Sequence, residues 1–236
     1  MLHIYKNEDI DRQDYEWLQV QSLFSFANYL DQDNIYFGIM PTLNEYHVTS
    51  GCGFPMHPHQ DMELLYFIFD GTLEHKDTLG NECILKAGDV QRISAGKGIA
   101  RSSYNSSPEK LHYLTIWLMP KARGLAPSHE FKHFPLELYR NCLFPIVSDR
   151  IQPFVDENSP VSVNASATVY RASFARDHKG EEFVPKGTYQ VLYVLNGSLM
   201  LNDVLLGKGD HARVELEKSL KIKPNDDVEL FLIDMY

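Results

Sequence analysis

A strand-and-turn pattern occurs twice in this chain, and it constrains the fold more than any other feature. The first copy runs Leu65-Tyr66-Phe67-Ile68-Phe69-Asp70-Gly71-Thr72-Leu73 and continues Ile84-Leu85-Lys86-Ala87-Gly88-Asp89-Val90. The second runs Leu192-Tyr193-Val194-Leu195-Asn196-Gly197-Ser198-Leu199 and continues Val204-Leu205-Leu206-Gly207-Lys208-Gly209-Asp210-His211. Each copy is an apolar run, an Asx-Gly turn, a short strand and a tight Gly-Asp turn. Glycine accepts positive φ without a Cβ clash, so such dipeptides reverse a chain at little cost. Short strands punctuated in this way predict an all-β sandwich or barrel. The duplication predicts two such domains, over residues 1–120 and 121–236. The proline-rich stretch from Pro120 to Pro160 reads as their connection, with helix expected over Leu136 to Arg140.

Composition narrows the function classes. The chain has 236 residues, is 44% hydrophobic and carries a net charge of −10. An acidic surface argues against direct nucleic-acid binding, which needs clustered Lys and Arg opposite phosphates. No apolar run approaches membrane-spanning length. Lys6, Glu8, Asp9, Asp11 and Arg12 near the N-terminus do not read as a secretory signal, and the expected location is the cytoplasm. Cys52, Cys83 and Cys142 are odd in number and widely spaced, so they spell neither a zinc knuckle nor a disulfide framework.

The chemistry-bearing segment is Gly53-Phe54-Pro55-Met56-His57-Pro58-His59-Gln60-Asp61-Met62-Glu63. On a strand, residues i and i+2 share a face. His57 and His59 therefore aim two imidazoles at one point, and Glu63 has the same parity. That is half of a metal site.

The run from Gly51 through His57, His59 and Glu63 to Gly71 resembles the first cupin motif, and Gly88 to Asn105 resembles the second in its pirin form. Phe24-Ser25-Phe26-Ala27-Asn28-Tyr29, Glu74-His75-Lys76-Asp77-Thr78-Leu79-Gly80-Asn81 and Ile116-Trp117-Leu118-Met119-Pro120 are also pirin-like. The resemblance to the pirin family runs from about Leu23 to the C-terminus. It implies an all-β bicupin, two antiparallel jelly-roll cupin barrels in one chain. It also implies one metal, usually iron, held in the first barrel by three His and one Glu. His57 and His59 match the first two ligands. The third and fourth positions are Arg101 and Ser103 here, and this departure matters. A guanidinium stays protonated and offers no lone pair, and a serine hydroxyl is a weak neutral ligand.

Three arrangements compete at this half-site. In one, the metal is lost and Arg101 enters the cavity, paired with Glu63, with Asp61, or with an anion bound there. In another, a divalent metal such as iron is held weakly, with Glu63 or water completing its shell. In the third, Arg101 turns to solvent. The first two together predict no tightly held catalytic metal.

Other motifs carry less. His129-Glu130-Phe131-Lys132-His133 matches H-E-x-x-H, but Pro127 and Pro135 leave no room for the helix that zinc chemistry requires. Gly96-Lys97-Gly98 lacks the context of a phosphate loop, no G-x-S-x-G occurs, and His75 and His112 read as surface or packing residues. Aligning Gly197 with Gly71 places Phe183 and Pro185 where the first domain has His57 and His59, so the second domain carries no metal motif. The expected function is small-molecule binding or regulation, with a small aromatic or flavonol-like ligand and a protein partner. The alternative is a metal-dependent quercetin 2,3-dioxygenase-type oxidoreductase.

Overall fold

In the computed structural model, which describes residues 1–25, 30–32, 34–150 and 156–236, the chain is built almost wholly from antiparallel strands. They begin with β1 (Leu2–Tyr5), β2 (Asp11–Tyr15), β3 (Leu18–Ser22), β4 (Thr42–Val48), β5 (Gly53–His59), β6 (Glu63–Asp70) and β7 (Thr72–Asp77). Next come β8 (Glu82–Lys86), β9 (Asp89–Ser94), β10 (Ile99–Asn105), β11 (Leu111–Leu118), β12 (Ser128–His133), β13 (Phe144–Ser148) and β14 (Val161–Ser162). The last are β15 (Ala167–Phe174), β16 (Glu181–Phe183), β17 (Tyr189–Asn196), β18 (Ser198–Leu201), β19 (Val204–Gly207), β20 (His211–Glu215), β21 (Leu220–Pro224) and β22 (Val228–Met235). Residues 26–29 of the pirin-like stretch Phe24 to Tyr29 lie outside the described residues. No helix of the described residues is long and apolar enough to cross a membrane.

The strands form two units of one design. The first has a seven-stranded sheet in the order β12-β9-β6-β11-β4-β3-β2 and a four-stranded sheet in the order β5-β10-β7-β8. The second has a larger sheet carrying β1-β20-β17-β22-β15-β13 in order and a four-stranded sheet β16-β21-β18-β19. The run β9-β6-β11-β4-β3 corresponds to β20-β17-β22-β15-β13, and the two small sheets correspond throughout, which is the structural counterpart of the repeat in the sequence. This is the cupin architecture, present twice.

Each unit buries its core between its two sheets. In the first, Leu64, Tyr66, Ile68 and Ile93 of the large sheet pack with Leu73, Leu85 and Ile99 of the small one. In the second, Leu192, Val194 and Leu230 pack with Leu199, Leu201, Leu206 and Ile222.

The units are not separated by one cut at residue 120. One comprises Asp11–Phe134 with Val161–Ala165, and the other Met1–Ile10, Pro135–Pro160 and Ser166–Tyr236. The reason lies in edge strands. β1 pairs with β20, and β12, which the sequence places in the linker, pairs with β9. An open sheet edge accepts any segment that satisfies its backbone groups, and a short, weakly patterned strand leaves little trace in the hydrophobic pattern. Among the described residues of the linker, helix is confined to a 3-10 turn at Leu136–Leu138.

The Asx-Gly dipeptides act differently from the expected reversal. β6 and β7 lie in different sheets, as do β17 and β18, so Gly71 and Gly197 are corners at which the chain changes sheet. Both have φ +74, and a Cβ would meet the Leu111 Cα at 2.8 Å in one case and the Asp227 carbonyl oxygen at 2.0 Å in the other. Those atoms lie at the entry to β11 and β22, equivalent strands. A tight hairpin reversal occurs instead at Asn202 and Asp203 between β18 and β19, where φ is 44 and 68. Two successive positive values suit a type I′ turn.

Candidate ligand cavity

β5 and β10 pair in a register that sets His57 opposite Arg101 and His59 opposite Ile99. The ladder then slips by a bulge between Arg101 and Ser103. Alternation turns His57, His59, Arg101 and Ser103 inward, toward a cavity of about 200 Å³ inside the first unit. Its remaining walls are Tyr46 of β4, Phe54 of β5, Tyr66 of β6, and Tyr113, Thr115 and Trp117 of β11. His57 and His59 lie with ring centroids 4.8 Å apart, and His59 meets the face of Trp117 edge-on at 5.2 Å. Tyr46 and Tyr113 stack at 5.0 Å.

Arg101 is the centre of this cavity. Its side chain is only 2% exposed. Nη1 donates to the Tyr66 hydroxyl, and the guanidinium carbon lies 4.5 Å from the centre of that ring. Nε and Nη2 are buried with no hydrogen-bond partner among the described residues. Asp77, the cross-strand partner of Arg101 on β7, is bonded to His75 and Asn81, and the titratable neighbours in the cavity wall are neutral. Burial, with His57 and the Arg101 charge adding to it, holds His59 down to about 4. Burial also lowers His57, against a hydrogen bond between its Nδ1 and the Pro55 carbonyl at 2.7 Å. Burial raises Tyr46, Tyr66 and Tyr113, which keeps their hydroxyls protonated. A cation here is surrounded by donors and rings, with no carboxylate in the wall.

The two carboxylates expected beside Arg101 are elsewhere. Glu63 Oε2 accepts from Ser94 Oγ at 2.8 Å and from the Asn164 backbone N–H at 3.3 Å. Asp61 Oδ1 accepts from the Gly124 backbone N–H at 2.7 Å. Parity fails because it is not carried across the break between β5 and β6. Asp61 has φ +49, and the two strands belong to different sheets. The even residues Leu64, Tyr66 and Ile68 of β6 face the core, so the odd residue Glu63 faces away. Tyr66 takes the place that Glu63 was expected to hold.

The donor set does not fit a tightly held metal. Two imidazoles converge, but Arg101 and Ser103 stand at the other two inward positions, and a buried cation opposes a second one. Among the described residues, the His, Cys, Asp and Glu side chains that converge in a group of three are Glu45, His47 and His112, which are not part of the cavity wall.

In the second unit the same positions are filled with hydrocarbon. Phe183 stands opposite Leu220, as His57 stands opposite Arg101. Phe183, Leu220 and Ile222 join the core cluster of that unit.

The family described as Pirin matches residues 5–118, and the quercetinase C-terminal cupin domain matches residues 154–235. A quercetin 2,3-dioxygenase of Escherichia coli K12 is 30% identical over 236 residues, covering 100% of this chain and 99% of the relative. The chain belongs to the pirin family. A pirin-like protein of Caulobacter vibrioides is 34% identical over 221 residues, covering 94% of each chain. The crystal structure of the Escherichia coli bacterial pirin YhhW in complex with nickel(II) matches this pirin with a TM-score of 0.90. It is 30% identical and covers 100% of this chain and 99% of that one.

Sequence reasoning missed Tyr46, Tyr66, Tyr113, Thr115 and Trp117. Residues 113, 115 and 117 alternate on one strand, which is a readable signal. Both faces of β6 and β11 are largely buried, however, so alternation does not reveal which face meets the cavity. The H-E-x-x-H stretch is the edge strand β12, not linker. Histidines four apart on a strand are spread over about 13 Å and cannot share one ion. His129 Nε2 lies 2.8 Å from Gln91 Nε2, and His133 Nδ1 lies 2.8 Å from Asp89 Oδ1. His75, read as a surface or packing residue, is fully buried, with Nε2 3.1 Å from Asp77 Oδ2.

Proposed function

We propose that this pirin is a small-molecule-binding bicupin whose first cavity receives a small organic anion, with Arg101 supplying the positive charge at the site. The observation that carries this reading is the guanidinium itself: buried, held by Tyr66 on one side, with Nε and Nη2 unpartnered. An unpaired buried cation is costly, and a carboxylate, phenolate or enolate would accept from both nitrogens in the forked geometry arginine favours. His59 Nε2 and Ser103 Oγ are further buried polar atoms without a partner among the described residues. The aromatic walls of Phe54, Tyr46 and Trp117 select a flat molecule.

Size limits the ligand. Pockets for drug-sized molecules span roughly 300–1,000 Å³, and this one holds about 200 Å³. A one-ring aromatic acid fits. A flavonol would place one ring inside and leave the rest at the mouth. In the regulatory branch of this reading, a protein partner distinguishes the occupied cavity from the free one.

The experiment is a tryptophan-fluorescence titration with protocatechuate and with quercetin, in the presence of a chelator. Binding is expected without metal, and Arg101→Met is expected to weaken it about tenfold to a hundredfold, the range for a lost hydrogen bond to a charged group. Binding that is unchanged in Arg101→Met refutes the reading.

A second reading is favoured by His59 Nε2, which is buried without a partner beside His57. In it, His57 and His59 hold a divalent metal and the protein shares the quercetin 2,3-dioxygenase activity for which its relatives are named. Oxygen uptake on quercetin that requires added iron or nickel, and stops in His59→Ala, would establish this reading in place of the first.

A further inference from the structure

The strands that line the cavity carry a second constellation on their opposite faces. Tyr46 and Tyr113 point inward from β4 and β11, and the residues beside them, His47 and His112, point outward. His47 and His112 are direct cross-strand partners. Their rings stack at 4.1 Å with planes 16° apart. Glu45, two residues before His47 on the same strand, points the same way. Its Oε1 lies 2.6 Å from His112 Nε2 and 3.8 Å from His47 Nε2.

We propose that Glu45, His47 and His112 form a binding site for a late first-row divalent cation, with Zn²⁺ as the best-matched ion. The ligand atoms of all three residues lie within 4.8 Å of one another. Tetrahedral zinc bonded at 2.0–2.2 Å to nitrogen and carboxylate oxygen separates its ligand atoms by about 3.4 Å. The separations from Glu45 Oε1 to His112 Nε2 and to His47 Nε2, 2.6 and 3.8 Å, bracket that distance, and the stacked rings would turn out of parallel for both lone pairs to meet the ion. Two imidazoles and one carboxylate are a donor set that suits zinc, nickel and copper better than magnesium or calcium. Three protein ligands leave the fourth position to water or an incoming group, the pattern of an open zinc site.

The surroundings support the assignment. Asp70 Oδ2, from β6 on the other side of β11, lies 3.7 Å from His112 Nδ1. At that distance Asp70 is an electrostatic neighbour of the ring and not a hydrogen-bond partner. Phe69 packs edge-on against His112 at 4.9 Å. Glu45 is 8% exposed, whereas the His47 side chain is 39% exposed, so the ion would sit on a buried base with an open approach.

The test is calorimetric titration of the chelator-treated protein with ZnCl₂. The parent, Glu45→Gln, His47→Ala and a His57→Ala/His59→Ala double variant are compared, with folding checked by circular dichroism. One equivalent is expected to bind to the parent and to the cavity double variant alike. Glu45→Gln and His47→Ala are each expected to weaken it by about tenfold or more. Glu45→Gln keeps the volume of the side chain, so it reports on the site even where His47→Ala perturbs the strand. Zinc that is lost from the cavity double variant but kept by His47→Ala would place the ion among His57 and His59 and overturn the proposal. Absence of zinc binding in the parent would overturn it as well.

Discussion

Arg101 lays its guanidinium carbon 4.5 Å from the centre of the Tyr66 ring and donates from Nη1 to the hydroxyl of the same residue. One tyrosine thus supplies both a face and an acceptor to a buried cation. Cation–π contacts reach about 2 kcal/mol when desolvated, and the hydrogen bond adds to that. Tyr66→Phe keeps the face and removes the acceptor. It is expected to destabilise the fold by ~1–3 kcal/mol, the cost of leaving a buried donor unmade. In an Arg101→Met background the same change should cost much less. Urea unfolding of the four proteins gives the coupling directly, and additivity of the two substitutions would mean that the hydroxyl does not hold the guanidinium.

His75 makes the stability of this protein depend on pH. Burial is the main reason its imidazole is held down, to about 4 from the ordinary 6.5, against the opposing hydrogen bond to Asp77. Burial lowers His129, stacked on it at 4.9 Å, in the same sense. The unfolded chain therefore binds more protons than the folded one between those two pH values, and stability falls as the solution is acidified through that window. The contribution is fully present above about pH 6.5 and is lost as pH approaches 4. Urea midpoints measured across this range should fall with pH. His75→Gln should flatten the slope while lowering stability at neutral pH, because Asp77 loses a partner. A slope unchanged in His75→Gln would assign the acid sensitivity to other groups.

What the sequence disclosed, and what it hid, follows from how β structure encodes direction. The two cupin units were legible because Gly71 and Gly197 interrupt long apolar runs at corresponding points, and a left-handed residue at a crowded corner admits little else. His57 and His59 were legible because β5 has one face toward the cavity and Pro58 and Met56 on the other, more exposed side. Glu63 was misplaced because alternation holds only within one strand, and Asp61 breaks it. The tyrosines of the cavity were hidden because β4, β6 and β11 are the central strands of the large sheet and are covered on both faces. Once a strand is buried on both sides, pattern no longer tells inside from outside.

The corner glycine Gly197 can be tested against Gly80, a glycine of the β7–β8 turn. Gly80 and Gly197 both have positive φ, +87 and +74. A Cβ at Gly80 would have nothing within 4 Å, whereas one at Gly197 would meet the Asp227 carbonyl oxygen at 2.0 Å. Gly80→Ala is expected to cost ~1–2 kcal/mol, the strain of a left-handed non-glycine residue. Gly197→Ala should cost several kcal/mol more than that, because the approach of backbone to backbone has to open. Thermal unfolding compares the two. Equal losses would show that conformation, and not the crowding against the start of β22, makes glycine necessary at the corner.

The last prediction converts the cavity. By resemblance to pirins, a His and a Glu would stand at positions 101 and 103, where this chain has Arg101 and Ser103. The backbone that would carry them is in place. Arg101 faces His57 across the β5–β10 ladder, and Ser103 lies beyond the bulge with its hydroxyl buried in the cavity wall. Arg101→His with Ser103→Glu removes the cation that opposes a metal, adds a third imidazole and adds the anionic ligand. Three imidazoles and a carboxylate suit iron or nickel, and the cavity of about 200 Å³ has room for the longer carboxylate side chain. The double variant is therefore expected to retain close to one equivalent of nickel after dialysis, measured by elemental analysis, and to lose it on further substitution of His57→Ala. The parent should retain far less in this cavity, and any zinc or nickel it does hold should survive His57→Ala, since Glu45, His47 and His112 lie outside the cavity wall. A folded double variant that holds no more nickel than the parent would show that more than two side chains separate this cavity from a metal centre. The tyrosine wall, and Tyr66 above all, would then be the place to look, because it is shaped around a guanidinium.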